Sequence, residues 1–162
     1  MNATWTTPDL CDAHPENVRV VHGIQWHSYG GRRSFGGPLE TVKCFEDNSR
    51  VKEHLAAPGE GKVLVVDGGG SLRHALIGDM IAETAAGNGW VGIIINGACR
   101  DIEALAGLDI GVFALGCVPI KSVRRGEGQL NEPVAFGGTD FHPGEYVYAD
   151  GNGIIVAERA LI

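Results

Sequence analysis

The fold is decided by the stretch Lys62-Val63-Leu64-Val65-Val66-Asp67-Gly68-Gly69-Gly70-Ser71. Its first six residues form a short apolar run next to glycines, which is the pattern of a strand buried on both faces. The three glycines then indicate a tight turn, and Ser71 is placed to cap a helical turn that continues to Ile77.

A helix and a second buried strand are predicted directly downstream. The helix covers residues 80–86, opens at Gly78-Asp79 and ends at Gly87, because glycine is favoured just beyond a helix C-terminus. Residues 91–95 are again a continuous apolar run, and the dipeptide Asn96-Gly97 indicates a turn after it. Alternating buried strands and helices are typical of an α/β domain.

The rest of the chain completes this pattern. Residues 29–38 are rich in glycine and are predicted to be turns. The other predicted elements are helices at 7–13, 49–55 and 102–106 and strands at 18–24, 41–45, 112–115, 133–136, 146–149 and 153–157. Helices alternate with strands first and hairpin-like strands come last, so residues 1–162 are predicted to form one layered α/β domain with a mixed sheet.

Composition limits the classes of function. The 162 residues are 44% apolar and 20% charged, as in an ordinary globular domain with a real core. The formal net charge is −7, and an acidic surface repels phosphate backbones, which argues against direct binding of nucleic acid. Two short basic pieces, Arg32-Arg33 and residues 121–125, leave a local contact with an anion or a protein open.

Cysteine usage and hydropathy point to the cytoplasm. The four cysteines are widely spaced, form no C-x-x-C pair and are expected to be free thiols in a reducing compartment. No apolar run approaches the ~18–20 residues that a membrane-spanning helix needs, and the start of the chain has no secretory pattern. We therefore expect a cytoplasmic protein without a membrane partner.

Asp79, Arg100 and Asp101 are the candidate site residues. Each lies at the predicted start of a helix, after a buried strand or a glycine-rich turn, where α/β proteins bind anionic ligands. Arg100 offers a planar fork that suits a carboxylate, and Asp101 offers a hard oxygen ligand for a divalent cation such as Mg²⁺. Asp79 could orient water on that cation, and the free N–H groups of Met80 and Ile81 would point toward the ligand.

A structural interpretation of the same residues stays open. Aspartate is a favoured N-cap residue, and both Asp79 and Asp101 occupy positions where a cap belongs. An isolated arginine such as Arg100 is more often part of a surface ion pair. The two interpretations are compatible, because a residue at a cap position can still direct its carboxylate outward.

The spacing of these residues resembles a known family. Asp79, twenty further residues and Arg100-Asp101 match the D-x20-R-D signature of 4-hydroxy-4-methyl-2-oxoglutarate aldolases, and the chain looks like the shorter RraA-like members of the class II pyruvate aldolases. The resemblance extends over most of the chain through these segments: Gly30-Gly31-Arg32, Ser34-Phe35-Gly36-Gly37, Thr41-Val42-Lys43-Cys44-Phe45-Glu46-Asp47-Asn48, Val63-Leu64-Val65-Val66-Asp67-Gly68-Gly69-Gly70-Ser71, Leu108-Asp109-Ile110-Gly111, Tyr148-Ala149-Asp150 and Gly153-Ile154-Ile155.

The resemblance implies a role for each site residue. Residues 78–81, which are Gly78, Asp79, Met80 and Ile81, would form the substrate loop. Arg100 would bind the carboxylate and keto oxygen of a pyruvyl group, with Asp79 assisting catalysis. Asp101 would be the direct ligand of Mg²⁺ or Mn²⁺. The implied reaction is retro-aldol cleavage of a 4-hydroxy-2-oxo diacid to pyruvate, together with decarboxylation of oxaloacetate, through a pyruvate enolate.

The resemblance also implies an assembly and an alternative function. Family members are typically homotrimers of a swivelling β/β/α fold with the site at or near subunit interfaces. Longer aldolases supply a further acidic residue from a neighbouring chain, and whether Glu158 corresponds to it stays open. The regulator RraA binds and inhibits the endoribonuclease RNase E and is described as lacking the metal aspartate. This chain keeps Asp101, which favours catalysis and leaves the regulator as the alternative.

Two other signals favour structural roles. The segment Val65-Val66-Asp67-Gly68-Gly69-Gly70 superficially suggests a nucleotide or S-adenosylmethionine loop, and some family members carry a menaquinone methyltransferase name. Its spacing is not G-x-G-x-x-G, so the glycines are interpreted as backbone geometry. His74 lies near the proposed site, but the chain has no H-x-x-x-H or H-E-x-x-H spacing, and a solvated or core histidine is favoured.

Overall fold

The computed structural model describes residues 3–162, which contain four helices and twelve strands. The helices are α1 (Thr7–Ala13), α2 (Ser49–Leu55), α3 (Asp79–Gly87) and α4 (Ile102–Leu105). The strands are β1 (Arg19–Val20), β2 (His27–Ser28), β3 (Phe35–Lys43), β4 (Val63–Asp67), β5 (Ala75–Ile77), β6 (Gly92–Cys99), β7 (Gly111–Cys117), β8 (Gln129–Leu130), β9 (Val134–Phe136), β10 (Thr139–Phe141), β11 (Tyr146–Asp150) and β12 (Gly153–Ala157).

A parallel core lies at the centre of the sheet. The second half of β3 pairs with β4, β4 with β6, and β6 with β7, all in parallel, and β5 adds to the end of β6. Successive residues of these strands face opposite sides, as the twofold repeat of a strand requires. Leu64 and Val66 therefore pack in the core beneath the helices, whereas Val63 and Val65 pack in a second core on the other face.

The second core lies between the parallel core and an antiparallel layer. The first half of β3 pairs with β11, which pairs with β12, and β12 pairs with β1. Strand β3 is thus shared by both layers, and side chains such as Phe35, Val147 and Ile154 fill the space between them. Helices α2, α3 and α4 cover the outer face of the parallel core. The predicted layered α/β class with a mixed sheet is confirmed.

Phe35 fixes the contact between the two layers. Its ring lies over Gly92 and Gly111, which are directly paired residues of β6 and β7. A Cβ atom built on either glycine would lie 2.0 Å from the ring, so no other residue fits at these positions. Phe113 meets the same ring edge-on, with 5.2 Å between ring centroids.

A buried carboxylate attaches α1 to the antiparallel layer. Asp150 accepts hydrogen bonds of 2.7 Å from both the backbone N–H and the hydroxyl of Thr7, and one of 2.8 Å from the Asn152 N–H. Burial tends to raise the pKa of Asp150, but these hydrogen bonds outweigh burial and the pKa is lowered overall. Asp150 is therefore a charged anchor for the N-terminal helix.

The predicted helical turn from Ser71 to Ile77 is wrong. Residues 75–77 form the strand β5, which pairs with the end of β6. All three of its side chains are buried. The Ala75 N–H donates to Ile120 O at 2.7 Å, so this backbone is bonded to a neighbouring segment instead of to its own preceding turn. Ser71 is not a helix cap; its hydroxyl accepts from the Arg73 N–H within the loop.

Three further boundaries differ from the sequence predictions. The predicted Asn96-Gly97 turn lies inside β6, where a register shift between Ile95 and Ala98 accommodates it as a bulge. The predicted turns at 29–38 end early because β3 begins at Phe35, and its glycines allow close packing: a Cβ on Gly37 would lie 2.3 Å from Gly61 O. The strand predicted at 18–24 is limited to β1.

Two features of the described residues concern membranes and thiols. Within residues 3–162, no helix combines the length and the apolar character that crossing a bilayer requires. All four cysteines, Cys11, Cys44, Cys99 and Cys117, are free.

Candidate active site

Two parallel strands end at the same edge of the sheet and bring the predicted residues together. Strand β5 ends at Ile77 and is followed by Gly78 and α3, while β6 ends at Cys99 and is followed by Arg100-Asp101 and α4. The Arg100 N–H donates to Ile77 O at 3.0 Å, which holds the two strand ends side by side. Parallel strands place their carboxyl ends at one edge, so residues distant in sequence meet there.

Asp101 occupies the N-cap position of α4 but does not cap that helix. Its backbone is left-handed, with φ 60° and ψ 43°, and its side chain makes no capping hydrogen bond to α4. Instead, its Oδ2 accepts the Asp79 N–H at 3.1 Å and so caps the first turn of α3. The side chain remains 38% exposed, which leaves carboxylate oxygen available to a ligand.

The backbone N–H groups of Met80 and Ile81 differ in their hydrogen bonds. The Asp79 Oδ1 accepts the Met80 N–H at 2.8 Å, so the prediction that this N–H is free is wrong: the residue before it supplies its acceptor. The Ile81 N–H has no acceptor among residues 3–162, while the Ile81 side chain is buried in the core. Only the backbone of Ile81 can therefore contact a ligand, whereas the Met80 side chain is exposed.

Gly78 is required by the position of the Asp101 carboxylate. A Cβ atom at residue 78 would lie 2.5 Å from Asp101 Oδ2 and 3.3 Å from Arg100 Cγ. The Gly78 backbone, with φ −136°, is open to any residue, so the constraint is space and not conformation. The glycine thus lets the start of α3 approach Arg100-Asp101.

Arg100 presents its guanidinium at the surface of this edge. Its side chain is 37% exposed, its Nη1 donates a long hydrogen bond of 3.4 Å to Pro119 O, and its Nε lies 3.8 Å from Asp101 Oδ2. These two contacts occupy only part of the five N–H donors of the guanidinium, so the remaining N–H groups are available for a carboxylate. An exposed pair at such a distance contributes little to stability.

Sequence reasoning missed the anchor of the segment that carries Pro119. The buried carboxylate of Asp47 accepts the N–H groups of Arg125 at 2.7 Å and Glu127 at 3.3 Å, as well as the N–H and hydroxyl of Ser49. Burial tends to raise the pKa of Asp47, and the hydrogen bonds lower it overall. Nothing local in the sequence around Asp47 reveals this role, because its partners at residues 125 and 127 are distant along the chain.

The glycine-rich turn after β4 uses its own N–H groups. Gly68 and Gly70 both donate to Asn96 O at 3.0 Å, and Gly69 donates to the Asp67 carboxylate at 3.0 Å. Gly69 and Gly70 have positive φ values of 66° and 75°, which glycine adopts without strain. These contacts give the three glycines a structural role. His74, near this turn, has its Nδ1 3.0 Å from Lys121 O.

The donor set of the site fits a hard divalent cation that keeps most of its water. Residues 3–162 contain no group of three or more histidine, cysteine or acidic side chains that could enclose a metal. Mg²⁺ usually binds through one or two carboxylates, with water and substrate oxygens completing the octahedron. Asp101, with Asp79 beside it, offers that arrangement.

The site is an open surface of this chain. Cavities of about 500 and 550 Å³ lie elsewhere. The first is lined by residues 14, 16–19 and 157–161, and the second by residues 28–31, 33, 102, 103 and 106. We assign the site by its chemistry and not by concavity, because Asp79, Arg100 and Asp101 line neither cavity. A reaction that must exclude water would need another surface to cover them.

Comparison with known proteins gives the family. Residues 7–156 match the RraA-like family, described as Aldolase/RraA, and the chain belongs to that family. A relative from Alcanivorax borkumensis, named "Putative 4-hydroxy-4-methyl-2-oxoglutarate aldolase", is 70% identical over 159 residues, which cover 98% of this chain and 99% of the relative.

Solved structures confirm the fold. A protein from Geobacillus kaustophilus, described as an S-adenosylmethionine:2-dimethylmenaquinone methyltransferase, is 45% identical with a TM-score of 0.93, covering 97% of both chains. The RNA-processing inhibitor RraA from Thermus thermophilus is 40% identical with a TM-score of 0.92, covering 98% of this chain and 94% of the other. Both likenesses extend over nearly the whole of this chain.

Proposed function

We propose that this protein is a divalent-metal-dependent lyase that cleaves 4-hydroxy-4-methyl-2-oxoglutarate to pyruvate and also decarboxylates oxaloacetate. One observation carries the proposal: Asp101 adopts a left-handed backbone and directs its carboxylate to the start of α3, next to the Arg100 guanidinium. The name of the 70% identical relative supports the same activity.

Arg100 is the proposed binding group for the 2-oxo acid. The Arg100 guanidinium would hold the substrate carboxylate and keto oxygen. It would also stabilise the negative charge that develops on the keto oxygen as the carbon–carbon bond breaks. The Ile81 N–H, at the positive end of α3, would add a further donor. Asp101 would hold Mg²⁺ or Mn²⁺, which when bound supplies positive charge beside the developing enolate.

Asp79 is the proposed orienting group. Asp79 is exposed and its backbone N–H donates to the Asp101 carboxylate, so its own carboxylate would accept hydrogen bonds from water in the metal's coordination shell. In the cleavage, the substrate hydroxyl loses a proton, the bond between its carbon and the neighbouring methylene breaks, and the electron pair passes to the enolate of pyruvate. Protonation of the methylene carbon then completes the product.

The name methyltransferase does not suit this chain. A cofactor loop presents its glycine N–H groups to the ligand, whereas those of Gly68, Gly69 and Gly70 are all donated within the turn. The proposal therefore places no S-adenosylmethionine on this loop.

We also propose a homotrimer in which a neighbouring copy closes the open face of the site. The face beside Asp79 and Arg100 carries exposed apolar side chains, among them Met80, Leu72 and Ile120 at 78%, 52% and 56% exposure. Apolar groups around a polar site are typical of an interface. Light scattering would give a trimer mass, and a monomer at micromolar concentration would contradict the assembly.

Oxaloacetate turnover tests the lyase. We expect pyruvate release that depends on Mg²⁺ or Mn²⁺, stops with chelator and falls by roughly 100-fold or more in Asp101→Ala, since the proposed direct ligand of the metal is lost. Asp109→Ala is the matched control, because Asp109 is an exposed aspartate paired with Arg32 outside the site. Equal turnover in wild type and Asp101→Ala would exclude the proposed site.

A second candidate function is regulation of RNase E by direct binding. It is favoured by the 40% identity and TM-score of 0.92 to an RNA-processing inhibitor. This function predicts saturable binding to the ribonuclease that survives Asp101→Ala, because it requires the surface and not the metal. Absence of binding at micromolar concentration would exclude it.

A further inference from the structure

Two cysteines end neighbouring strands at the edge that carries the site. Cys99 is the last residue of β6 and Cys117 is the last residue of β7, and the two are directly paired in the parallel register. The Val118 N–H donates to Cys99 O at 2.9 Å, so this pairing persists to the ends of both strands. Cys99 packs in the core beneath the helices, and paired residues of adjacent strands point to the same face, so Cys117 is placed on that face as well.

The two thiols differ in their access to solvent. Cys117 is exposed, whereas Cys99 is fully buried, with its Sγ 3.8 Å from Gly116 O. A dissolved oxidant therefore meets Cys117 first, and Cys99 is the internal thiol beside it. This is the arrangement of an exposed sulfur with an adjacent resolving cysteine.

The spacing is near that of a disulfide, but not equal to it. Adjacent strands lie about 4.8 Å apart, which is within the Cα separation that a disulfide spans. A disulfide also needs a Cβ separation of about 3.8 Å, and the Cys99 sulfur must leave its contact with Gly116 O to reach Cys117, so forming the bond changes the packing at both strand ends. The residues that follow are Arg100-Asp101 on one strand and Val118-Pro119 on the other, and Pro119 O accepts from Arg100.

We propose that Cys99 and Cys117 form a reversible disulfide with a peroxide as oxidant, and that this bond displaces Arg100-Asp101 and switches the site off. The Cys117 sulfur attacks hydrogen peroxide and the O–O bond breaks. Water is released, and Cys117 becomes a sulfenic acid. The Cys99 sulfur then attacks Cys117, the S–O bond breaks, and the hydroxyl leaves as water with the Cys99 proton. Two thiols and one peroxide give one disulfide and two waters.

The bond itself is tested without any activity. The reduced full-length protein is treated with hydrogen peroxide, alkylated and digested without reductant. We expect a mass about 2 Da lower before alkylation and a cross-linked peptide that joins Cys99 to Cys117, both reversed by dithiothreitol. Cys11→Ser/Cys44→Ser, which leaves only the proposed pair, should behave like wild type.

Single variants define the order of events. Cys117→Ser, at an exposed position, should form no disulfide, and Cys99→Ala should stop at a sulfenic acid on Cys117 that dimedone traps. A disulfide that forms elsewhere, or irreversible oxidation of Cys117 in wild type without any cross-link, would overturn the proposal.

The effect on the site rests on the proposed function and has its own readout. A misplacement of about 1 Å costs roughly 100-fold in rate, so we expect oxidised wild type to lose that much oxaloacetate turnover and to regain it with dithiothreitol. Cys117→Ser should keep its turnover in peroxide. A cross-link with unchanged turnover would overturn the switch. If the cross-link forms but the reduced protein has no oxaloacetate turnover, the result counts against the proposed lyase activity and the disulfide is still established.

Discussion

Replacing Gly78 by alanine gives a direct test of the site geometry. The new Cβ would lie 2.5 Å from Asp101 Oδ2, about 1 Å inside an ordinary contact. The Gly78 backbone conformation is open to alanine, so the carboxylate and not the backbone must yield. Because that carboxylate ends a short exposed side chain, it can rotate away and lose its 3.1 Å hydrogen bond from the Asp79 N–H.

The expected effects on stability and activity are very different in size. A hydrogen bond to a charged group is worth about 1.5–3 kcal/mol, and solvent replaces much of it at an exposed position, so the melting temperature should fall by roughly 2–4 °C. Turnover of oxaloacetate should fall by about 100-fold, because a ligand displaced by about 1 Å no longer holds the productive geometry.

Gly87→Ala is the matched control for this test. Gly87 ends the same helix, and a Cβ built on it meets no atom within 4 Å. Alanine there should leave turnover unchanged and raise stability slightly, since alanine favours helix more than glycine. Melting curves and metal-dependent pyruvate release would be measured on both variants. If Gly78→Ala retains the turnover of Gly87→Ala, the position of the Asp101 carboxylate does not matter for the reaction.

Two further predictions concern stability. Asp150→Asn should cost about 1–3 kcal/mol at neutral pH in denaturant unfolding, because the charged acceptor of the Thr7 and Asn152 donors is lost. The folded-state pKa of Asp150 is lowered, so its contribution is complete above its ordinary pKa and disappears as the pH falls below about 4; an equal cost at pH 3 would contradict this. Gly92→Ala should cost about 3 kcal/mol or more, since its Cβ would overlap the Phe35 ring, and a wild-type melting temperature would refute that packing.

The buried strands were predictable because their sequence signal is local. Strand β4 and the first half of β6 are continuous apolar runs, and burial on both faces in a parallel sheet requires that composition. Strand β5 was not predictable, because its three residues are too short for periodicity to separate strand from helix. Its conformation is set by partners on β6 and by Ile120, which lie at least 20 residues away.

The site was predictable in its members but not in its hydrogen bonds. Asp79 and Arg100-Asp101 meet because two parallel strands end together, and this follows from the order of elements along the chain. The sequence gives no sign that Asp101 is left-handed or that its carboxylate caps α3 instead of α4. Those features depend on the close approach at Gly78, which only the packed structure determines.

The backbone of Asp101 excludes an ordinary cap of its own helix. An aspartate that caps its own helix has an extended backbone and accepts an N–H from the second or third helical residue. Asp101 does neither: its φ of 60° costs about 1 kcal/mol or more relative to the ordinary regions, and glycine would adopt it without that cost. This backbone directs the Asp101 side chain away from its own helix and toward Arg100 and the start of α3, and we propose that a ligand there requires the carboxylate.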